Sequence, residues 1–431
     1  MSPTFRSLSI RNYRIYFAGS IVSNIGTWLQ QTALAWLVLE LTGSGAALGA
    51  TVALYLLPTL LFSPIAGAVA DRVPKRSLLL WMQVAMSVPA GFLGMFAILG
   101  HVEPWHVYVL TFVLGIGKAF EAPARQSFVS EMVDADRLTN AVALNSASFN
   151  SGRLIGPGLA GLLIAALGSG VVATGWVIVL NAISFWFVVG ALLLMDRSAL
   201  APAPISAPGK RSVLDGARYV ASRPDLMLLF VTVFFLGAFG MNFQITSALM
   251  ATDVFGKGAG EFGVLGSILA IGSLAGALLA ARRPKPRLRF IIGAALLFSV
   301  AQVLSGLMPT YWAYAAVLPL IGISVLTTAT TANAVIQLTT IPEMRGRVVS
   351  LYLMVFVGST PFGAPVIGWI GEHVGAREAL VASGLIAGLG ISIATLLYAR
   401  RHDLDTPELS PLVRRMLGRQ RFDQQVLARA D

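Results

Sequence analysis

The sequence lacks cysteine altogether and has few charged residues for its length. Of its 431 residues none is cysteine, 12% are charged and 56% are hydrophobic. Without thiols the chain can form no disulfide, thiolate metal site or cysteine nucleophile. Because a soluble domain carries about 25% charged residues, this composition cannot build an ordinary water-facing surface. We therefore expect most of the chain to lie in a membrane.

Sequence signatures of catalysis and nucleotide binding are also missing. The four histidines are not clustered, which argues against a histidine metal site. Gly117-Lys118 has Phe112 where the first glycine of a phosphate-binding loop would stand, so ATP hydrolysis is not expected. No catalytic triad is present either. We predict that the chain is not an enzyme and binds no cofactor.

What the sequence does contain is a series of apolar stretches, each long enough to cross a bilayer as a helix. Helices satisfy their own backbone hydrogen bonds inside lipid. The pattern predicts an all-α membrane protein with twelve transmembrane helices in two pseudo-symmetric six-helix bundles. The predicted helices are 13–39, 46–70, 77–99, 105–124, 139–167, 172–194, 225–251, 261–281, 290–308, 311–340, 347–370 and 376–399.

The basic residues between these helices fall on one side of the membrane. They concentrate in residues 1–14, 72–76 and 282–289, and only Lys257 and Arg377 fall on the other side. Basic connections stay in the cytoplasm, so both termini are expected there. We attribute the net charge of +11 to this topology and to contact with the lipid bilayer, and predict no nucleic-acid partner.

The polar stretches divide the chain into four parts. We predict a first bundle at 1–194, a cytoplasmic linker at 195–224, a second bundle at 225–399 and a basic cytoplasmic tail at 400–431. Helical periodicity between residues 212 and 222 predicts an amphipathic helix lying on the membrane surface.

The two halves resemble each other weakly. An offset of 208 residues aligns Arg137 with Arg345 and Pro157 with Pro365. Repeated halves in a membrane protein usually enclose a substrate site near the bilayer midplane. The repeat therefore favours a transporter with alternating access.

The connection between helices 2 and 3 is a candidate gate. Asp71 ends an inward helix, where the helix dipole disfavours an anion, so it needs a cation or the start of another helix. Helix 11 begins on the same side, and a latch between the two would close the cytoplasmic face. The alternative is a solvated charge cluster that only sets topology. The candidate gating residues are Gly67, Asp71, Arg72, Lys75, Arg76, Arg345 and Arg347.

Small residues along helices 5 and 8 predict that each helix has a face suited to close contact with another helix. Glycines four residues apart let two backbones approach, and a proline inside a helix bends it. The candidate interface residues are Gly152, Gly156, Pro157 and Gly161 in helix 5, and Gly272 and Gly276 in helix 8. Ordinary tight packing is the alternative.

Predicted helices 4 and 5 carry charged residues in or directly beside their apolar stretches. Lys118, Glu121 and Arg125 share one face of helix 4, as either a structural ion-pair ladder or a proton-exchanging group centred on Glu121. Arg153 lies near the bilayer centre in helix 5, where an arginine needs a polar cavity or partner. We predict that these four residues couple transport to proton movement.

Polar and aromatic residues near the middle of several helices are candidates for the substrate site. Apolar pockets with a few polar groups suit bulky amphipathic molecules. We predict a cavity lined from helices 1, 4, 7 and 10. The candidate binding residues are Asn24, Trp28, Gln31, Phe239, Asn242, Gln244 and Asn333.

Several motifs taken together resemble the major facilitator superfamily. Gly67–Arg76 is similar to its G-x-x-x-D-R-x-x-[RK]-[RK] loop, and Gly152–Gly161 is similar to its G-x-x-x-G-P-x-x-[GA]-G exporter element, although Ala143 replaces the glycine that opens the fuller motif. The likeness covers nearly all of residues 5–400 and is greatest to the branch that includes bacterial macrolide and enterobactin exporters.

This resemblance implies a monomeric exporter of a small amphipathic molecule (a drug, siderophore or metabolite), driven by proton antiport in the bacterial inner membrane. It also implies that helices 5 and 8 meet between the two halves. An importer on the same fold and a non-transporting scaffold or receptor remain alternatives.

Overall fold

The computed structural model describes residues 3–201, 213–281 and 288–401. In these ranges the chain is almost entirely helical and contains no strand. A short 3₁₀ segment at Pro3–Ser9 precedes the first α-helix. The α-helices are α1 (Arg11–Thr42), α2 (Gly45–Arg72), α3 (Lys75–Ile98), α4 (Pro104–Met132), α5 (Ala135–Ala166), α6 (Gly170–Leu194), α7 (Val213–Ala221), α8 (Pro224–Phe235), α9 (Phe243–Leu249), α10 (Ala259–Ala281), α11 (Leu288–Gly306), α12 (Tyr311–Thr339), α13 (Pro342–Gly358), α14 (Thr360–His373) and α15 (Ala376–Arg401).

Two of the predicted membrane helices are interrupted. A π-helical turn at Leu236–Gly240 follows α8, and a second at Met250–Val254 follows α9. Together these segments form the single predicted helix 7. The junction of α13 and α14 at Ser359 likewise lies within predicted helix 11.

Local sequence explains where several helices begin and end. Gly43 adopts a left-handed conformation (φ 60°) and donates its N–H to the Leu39 carbonyl, which closes α1. Ser44 then caps α2 by accepting a hydrogen bond from the Ala47 N–H at 3.0 Å. The start of α8 instead has Pro224 in the first turn, where no backbone donor is needed.

Ten helices of the described ranges are long and apolar enough to cross a membrane. The helices α1 and α5 have 32 residues each but are not among them, because polar side chains interrupt their apolar character. The total of twelve spans therefore stays a prediction. Large apolar side chains cover the outside of the molecule, including Trp81 and Trp312, which are 65% and 71% exposed. Such a surface is suited to lipid.

The helices form two halves, α1–α6 and α8–α15, and their buried cores show how the halves meet. We call the side holding Pro3–Ser9 and the α2–α3 connection the N-terminal face, and the side holding the α1–α2 connection the opposite face. One large core contains residues of both halves, such as Trp36 and Phe262. Toward the N-terminal face the core splits into a cluster from the first half and one from the second. The halves are therefore joined toward the opposite face and separate toward the N-terminal face.

The linker helix α7 packs against the second half, and its position on the membrane surface stays a prediction. Val220 is buried in the core of the second half, and Asp215 pairs with Arg347 of α13 at 3.6 Å. Leu214 of the same helix is 56% exposed. The contact is close at Gly216, where an added Cβ atom would lie 3.2 Å from the Arg347 Cβ atom. Of the predicted basic tail at 400–431, everything beyond residue 401 lies outside the described residues.

Candidate functional site: a cavity between the two halves

A cavity of about 680 Å³ lies between the two halves. This volume is within the range of small-molecule sites. Its walls come from α1, α2, α4 and α5 of the first half and from every membrane segment of the second half except α8. The predicted contributions of helices 1, 4, 7 and 10 are therefore present, but several other helices contribute as well.

The opposite face is closed by contact between α2 and α14. A Cβ atom at Gly368 would overlap the Gly45 carbonyl oxygen, and one at Gly49 would overlap the Ala364 carbonyl. The Glu372 carboxylate accepts hydrogen bonds from the Ser44 hydroxyl and the Ala46 N–H, the latter at 2.9 Å. Backbone contact through small residues and a carboxylate cap thus seals this side of the cavity.

A second contact between the halves joins α5 to α10, as the sequence predicts for helices 5 and 8. A Cβ atom at Gly263 would lie 3.0 Å from the Gly161 Cα atom. The Ser267 hydroxyl donates to the Leu154 carbonyl at 2.6 Å and accepts from the Gly158 N–H at 3.1 Å. In an unbroken helix those two backbone groups would bond to each other. Ser267 therefore bonds to the carbonyl and the N–H of one turn of α5, next to Pro157.

Replacing Ser267 by alanine is expected to destabilise the protein by about 2 kcal/mol, because a carbonyl and an N–H of α5 each lose a half-buried hydrogen bond to α10. Thermal unfolding of the purified protein in detergent measures the loss. Ser324→Ala is the matched control, since its hydroxyl makes one bond to the Leu320 carbonyl within α12. Equal melting temperatures for the two variants would show that the Ser267 hydrogen bonds between α10 and α5 add no more stability than a hydroxyl bond within one helix.

The glycines predicted to join the halves do not all do so. Gly272 and Gly276 pack against the Pro319 and Ile323 backbones of α12, within the second half. They are wrongly assigned because Gly272 lies about two and a half turns beyond Gly263, which places it on the other side of α10.

Gly152 and Gly156 face α1, where a Cβ atom would lie 2.8 Å from the Asn24 backbone and 2.5 Å from the Trp28 Cβ atom, respectively. Pro157 and Gly161 are on the neighbouring face of α5 and do contact α10. Gly152 and Gly156 therefore meet a different helix from Pro157 and Gly161, because each step of one residue turns the side-chain direction by about 100° around the helix axis.

A charge cluster on α4 lies beside the cavity. The Lys118 Nζ atom is 2.9 Å from one Glu121 oxygen, and the Arg125 Nε atom is 3.5 Å from the other. Arg125 also donates to the Asn24 Oδ1 atom at 2.9 Å, and Asn24 donates to the Ser148 hydroxyl. The cluster thus connects α4 to α1 and α5.

Arg153 stands apart from this cluster. It lines the cavity, and its guanidinium lies 5.6 Å from the centre of the Trp28 ring. Among the described residues no carboxylate forms an ion pair with it. The cation–π contact therefore holds Arg153 at the wall.

Several gating candidates are held within the first half at the N-terminal face. Lys75 forms a buried ion pair with Glu131 of α4 at 2.9 Å. Arg76 donates to the Leu192 carbonyl of α6 at 2.8 Å. These two residues tie α3 to its neighbours and do not reach the second half in this conformation.

The remaining gating candidates lie near the open side of the cavity. Gly67 lines the cavity, and a Cβ atom there would meet no atom within 4 Å. Asp71 is half-buried and Arg72 exposed at the end of α2. Arg345 is exposed at the start of α13, where Arg347 pairs with the linker.

Four of the seven predicted binding residues line the cavity: Asn24, Trp28, Gln31 and Gln244. Gln244 donates to the Gln31 Oε1 atom at 3.3 Å, which bridges the halves.

Phe239, Asn242 and Asn333 are not part of the lining. The Asn242 amide donates to the Ala238 carbonyl and Phe239 stacks on Phe235, while Asn333 accepts from Gln337. The π-turn at Leu236–Gly240 changes which side of helix 7 faces the cavity. The prediction assumed a regular α-helix with 3.6 residues per turn, so it placed Phe239 and Asn242 on the wrong side.

Sequence reasoning missed the contacts that close the cavity. Gly45 and Gly49, like Ala364 and Gly368, have the spacing of small residues that favours close helix approach, so this pairing was detectable. The contact of Ser267 could not be recognised in the sequence, because its hydroxyl bonds to the backbone of α5, a helix more than 100 residues away in the chain.

Comparison with known proteins places this architecture in a family. The chain matches the transmembrane secretion effector family over residues 2–425. It is 26% identical to the multidrug efflux pump Tap of Mycolicibacterium fortuitum, covering 91% of this chain and 96% of Tap. It is 23% identical to macrolide efflux protein A of Streptococcus pyogenes, covering 93% and 99%. The enterobactin exporter EntS of Shigella flexneri is 24% identical, with 80% and 81% covered.

Solved structures show the same fold at lower sequence identity. A bacterial homolog of the human lysosomal transporter Spinster, in an inward-facing and unoccupied conformation, superimposes with a TM-score of 0.69 at 15% identity, covering 95% of this chain and 100% of that one. A D-xylose–proton symporter gives 0.66 at 13% identity, covering 88% and 96%. The chain belongs to the transmembrane secretion effector family of major facilitator-type membrane transporters.

Proposed function

We propose that this protein is a monomeric secondary exporter in the bacterial cell membrane, with both termini in the cytoplasm. It carries a small amphipathic molecule from the cavity to the outside by alternating access, and its activity is transport rather than catalysis. The observation that carries this proposal is the cavity between the halves, closed at one face by glycine contacts and flanked by separate cores at the other. The relatives named as efflux pumps and exporters support the outward direction.

The N-terminal face is then the cytoplasmic side, from which substrate enters. Basic residues at this face, including Arg6, Arg11 and Arg14, support that orientation. Outward release requires the α2–α14 and α5–α10 contacts to separate while the cytoplasmic side closes. Gly67 leaves room on α2 for another helix to approach during that closure.

Asp71 is proposed to hold the closed cytoplasmic side. Its carboxylate would meet the start of α13 near Arg345, where the helix dipole is positive. Such a contact contributes about 1 kcal/mol, which shifts a two-state equilibrium several-fold. Arg72 ends α2 and Arg347 lies near the start of α13, so both would contribute positive charge where the two helix ends approach.

Proton antiport is proposed to act through Glu121. The two ion pairs to Lys118 and Arg125 hold this carboxylate in the conformation described here. Proton exchange requires at least one of those pairs to open. Arg125 reaches Asn24 on α1, so a rearrangement at Glu121 also moves a wall of the cavity. Arg153, on the same side of the cavity, would respond to that rearrangement.

Everted membrane vesicles test this function. Vesicles energised by respiration are expected to accumulate at least one of three fluorescent amphiphiles: dansylglycine, dansylamide or dansylcadaverine. Asp71→Asn is expected to slow accumulation several-fold, because the cytoplasmic side closes less completely. Asp253→Asn, at the opposite face, is the control and keeps the wild-type rate.

Three outcomes would contradict parts of the proposal. Accumulation that is unaffected by an imposed pH gradient would remove proton antiport. Movement only in the other direction would indicate an importer. No movement of any probe by folded protein would favour a non-transporting role.

A further inference from the structure

The charged residues on the cavity wall are all basic. Among the described lining residues only Lys118 and Arg153 carry a charge, and no aspartate or glutamate lines the cavity. Glu121 is close by, but its side chain is only 2% exposed and lies behind the wall. A ligand in the cavity therefore meets two cations and no carboxylate.

The buried Glu121 carboxylate beside the cavity does not neutralise these cations. Glu121 is shared between Lys118 at 2.9 Å and Arg125 at 3.5 Å. Arg153 has no carboxylate partner within the described residues. Three cations near the cavity thus face one anion. A positive excess at bilayer depth is unfavourable without an anionic partner.

The surroundings of Arg153 leave it able to bind an anion. Its contact with the Trp28 ring uses the face of the indole, while the guanidinium N–H groups point from its edge. The Trp28 Nε1 atom, buried beside the cavity, has no hydrogen-bond partner in the described part of the chain. An anionic oxygen group is the ligand that such donors recognise best.

The wall from the second half has the opposite character. Its lining residues are neutral and include Phe243, Phe262 and Leu353. A ligand with one anionic end and an apolar body would therefore place its charge against α1, α4 and α5 and its body against the second half. The asymmetry of the walls sets one orientation for the ligand.

Building on the export function proposed above, we propose that the substrates are anionic amphiphiles whose carboxylate, sulfonate or phosphate binds between Arg153 and Lys118. Arg153 supplies the stronger contact, because Lys118 is shared with Glu121.

Binding of the dansyl series to protein in phosphatidylcholine nanodiscs tests this assignment, with energy transfer from tryptophan to dansyl as the readout. Wild-type protein is expected to bind dansylglycine about tenfold more tightly than dansylamide, the advantage of one charge-assisted contact, and dansylcadaverine least. Arg153→Gln removes the preference for dansylglycine while the affinity for dansylamide stays the same. Arg153→Lys retains part of the preference. Lys118→Gln reduces it less, and Lys257→Gln, exposed at the opposite face, leaves it unchanged.

Equal wild-type affinity for the three probes would overturn the anion site. So would an Arg153→Gln variant that loses affinity for all three alike, since that result indicates a packing role. Competition by added phosphatidylglycerol that depends on Arg153 would assign the site to a lipid headgroup instead of a substrate. Selective binding of dansylglycine without its transport would instead refute export and leave the anion site standing.

Discussion

Replacing Gly368 by valine is expected to abolish transport and to shift the protein toward a state open at the opposite face. A side chain at this position would meet the Gly45 carbonyl and the Gly49 Cα atom, which are backbone atoms that cannot move aside. The two halves would then be unable to close there. The natural absence of cysteine allows a single reporter, Thr51→Cys, on the cavity wall. Its labelling by a membrane-impermeant maleimide in intact cells should rise strongly in the Gly368→Val background.

Two controls separate gating from folding. Gly190→Val introduces the same side chain where no atom lies within 4 Å, and it should leave labelling and transport unchanged. Gly363→Val would collide with the Ala238 backbone inside the second half, and it should lower the yield of folded protein. If Gly368→Val behaves like Gly363→Val, the α2–α14 contact is a permanent part of the fold and does not open.

Replacing Glu121 by glutamine is expected to destabilise the protein by about 3 kcal/mol, because two partly buried cations lose their shared counter-charge. The side chains of Lys118 and Arg125 are 29% and 26% exposed, so water compensates only in part. Efflux should be lost as well, since Arg125 positions Asn24 on the cavity wall. Thermal unfolding in detergent and vesicle transport, normalised to folded protein, measure the two effects.

Two further variants test whether the lost counter-charge causes the loss of stability. One removes a carboxylate at an exposed site, and the other removes Glu121 together with its partner Lys118. Glu261→Gln, exposed and 3.9 Å from Lys257, should change stability very little. The double variant Glu121→Gln with Lys118→Gln should be more stable than the sum of its single changes predicts, because the unpaired lysine is gone. If the stability losses of the two single variants simply add in the double variant, the Lys118–Glu121 ion pair does not contribute to stability.

The membrane helices were largely predictable because length and apolar character alone define them. The predicted helix 3 at 77–99 corresponds to Lys75–Ile98, and the predicted helix 6 at 172–194 to Gly170–Leu194. The ends were less predictable where polar residues continue a helix beyond the apolar core. Predicted helix 4 stops at residue 124, whereas α4 continues to Met132 and carries Glu131, which pairs with Lys75.

The candidate site was predictable only in part. The cavity-lining residues Asn24, Trp28 and Gln31 recur every three or four residues, which places them on one face of a helix. Helix periodicity does not say which neighbour a face meets. It therefore grouped Gly272 with Gly161, although α12 covers the former and α10 the latter.

The sequence by itself determined that this is a helical membrane protein, which of its faces is basic and which of its few charges lie inside the apolar helices. These properties follow from composition and order along the chain, because lipid tolerates neither free backbone groups nor unpartnered charges. The tertiary structure alone decided that Arg153 rests on Trp28, that Ser267 bonds to the backbone of α5 and that Gly368 meets Gly45. Those contacts join residues far apart in the chain, and they depend on the rotation of each helix about its axis and on the angles at which the helices cross.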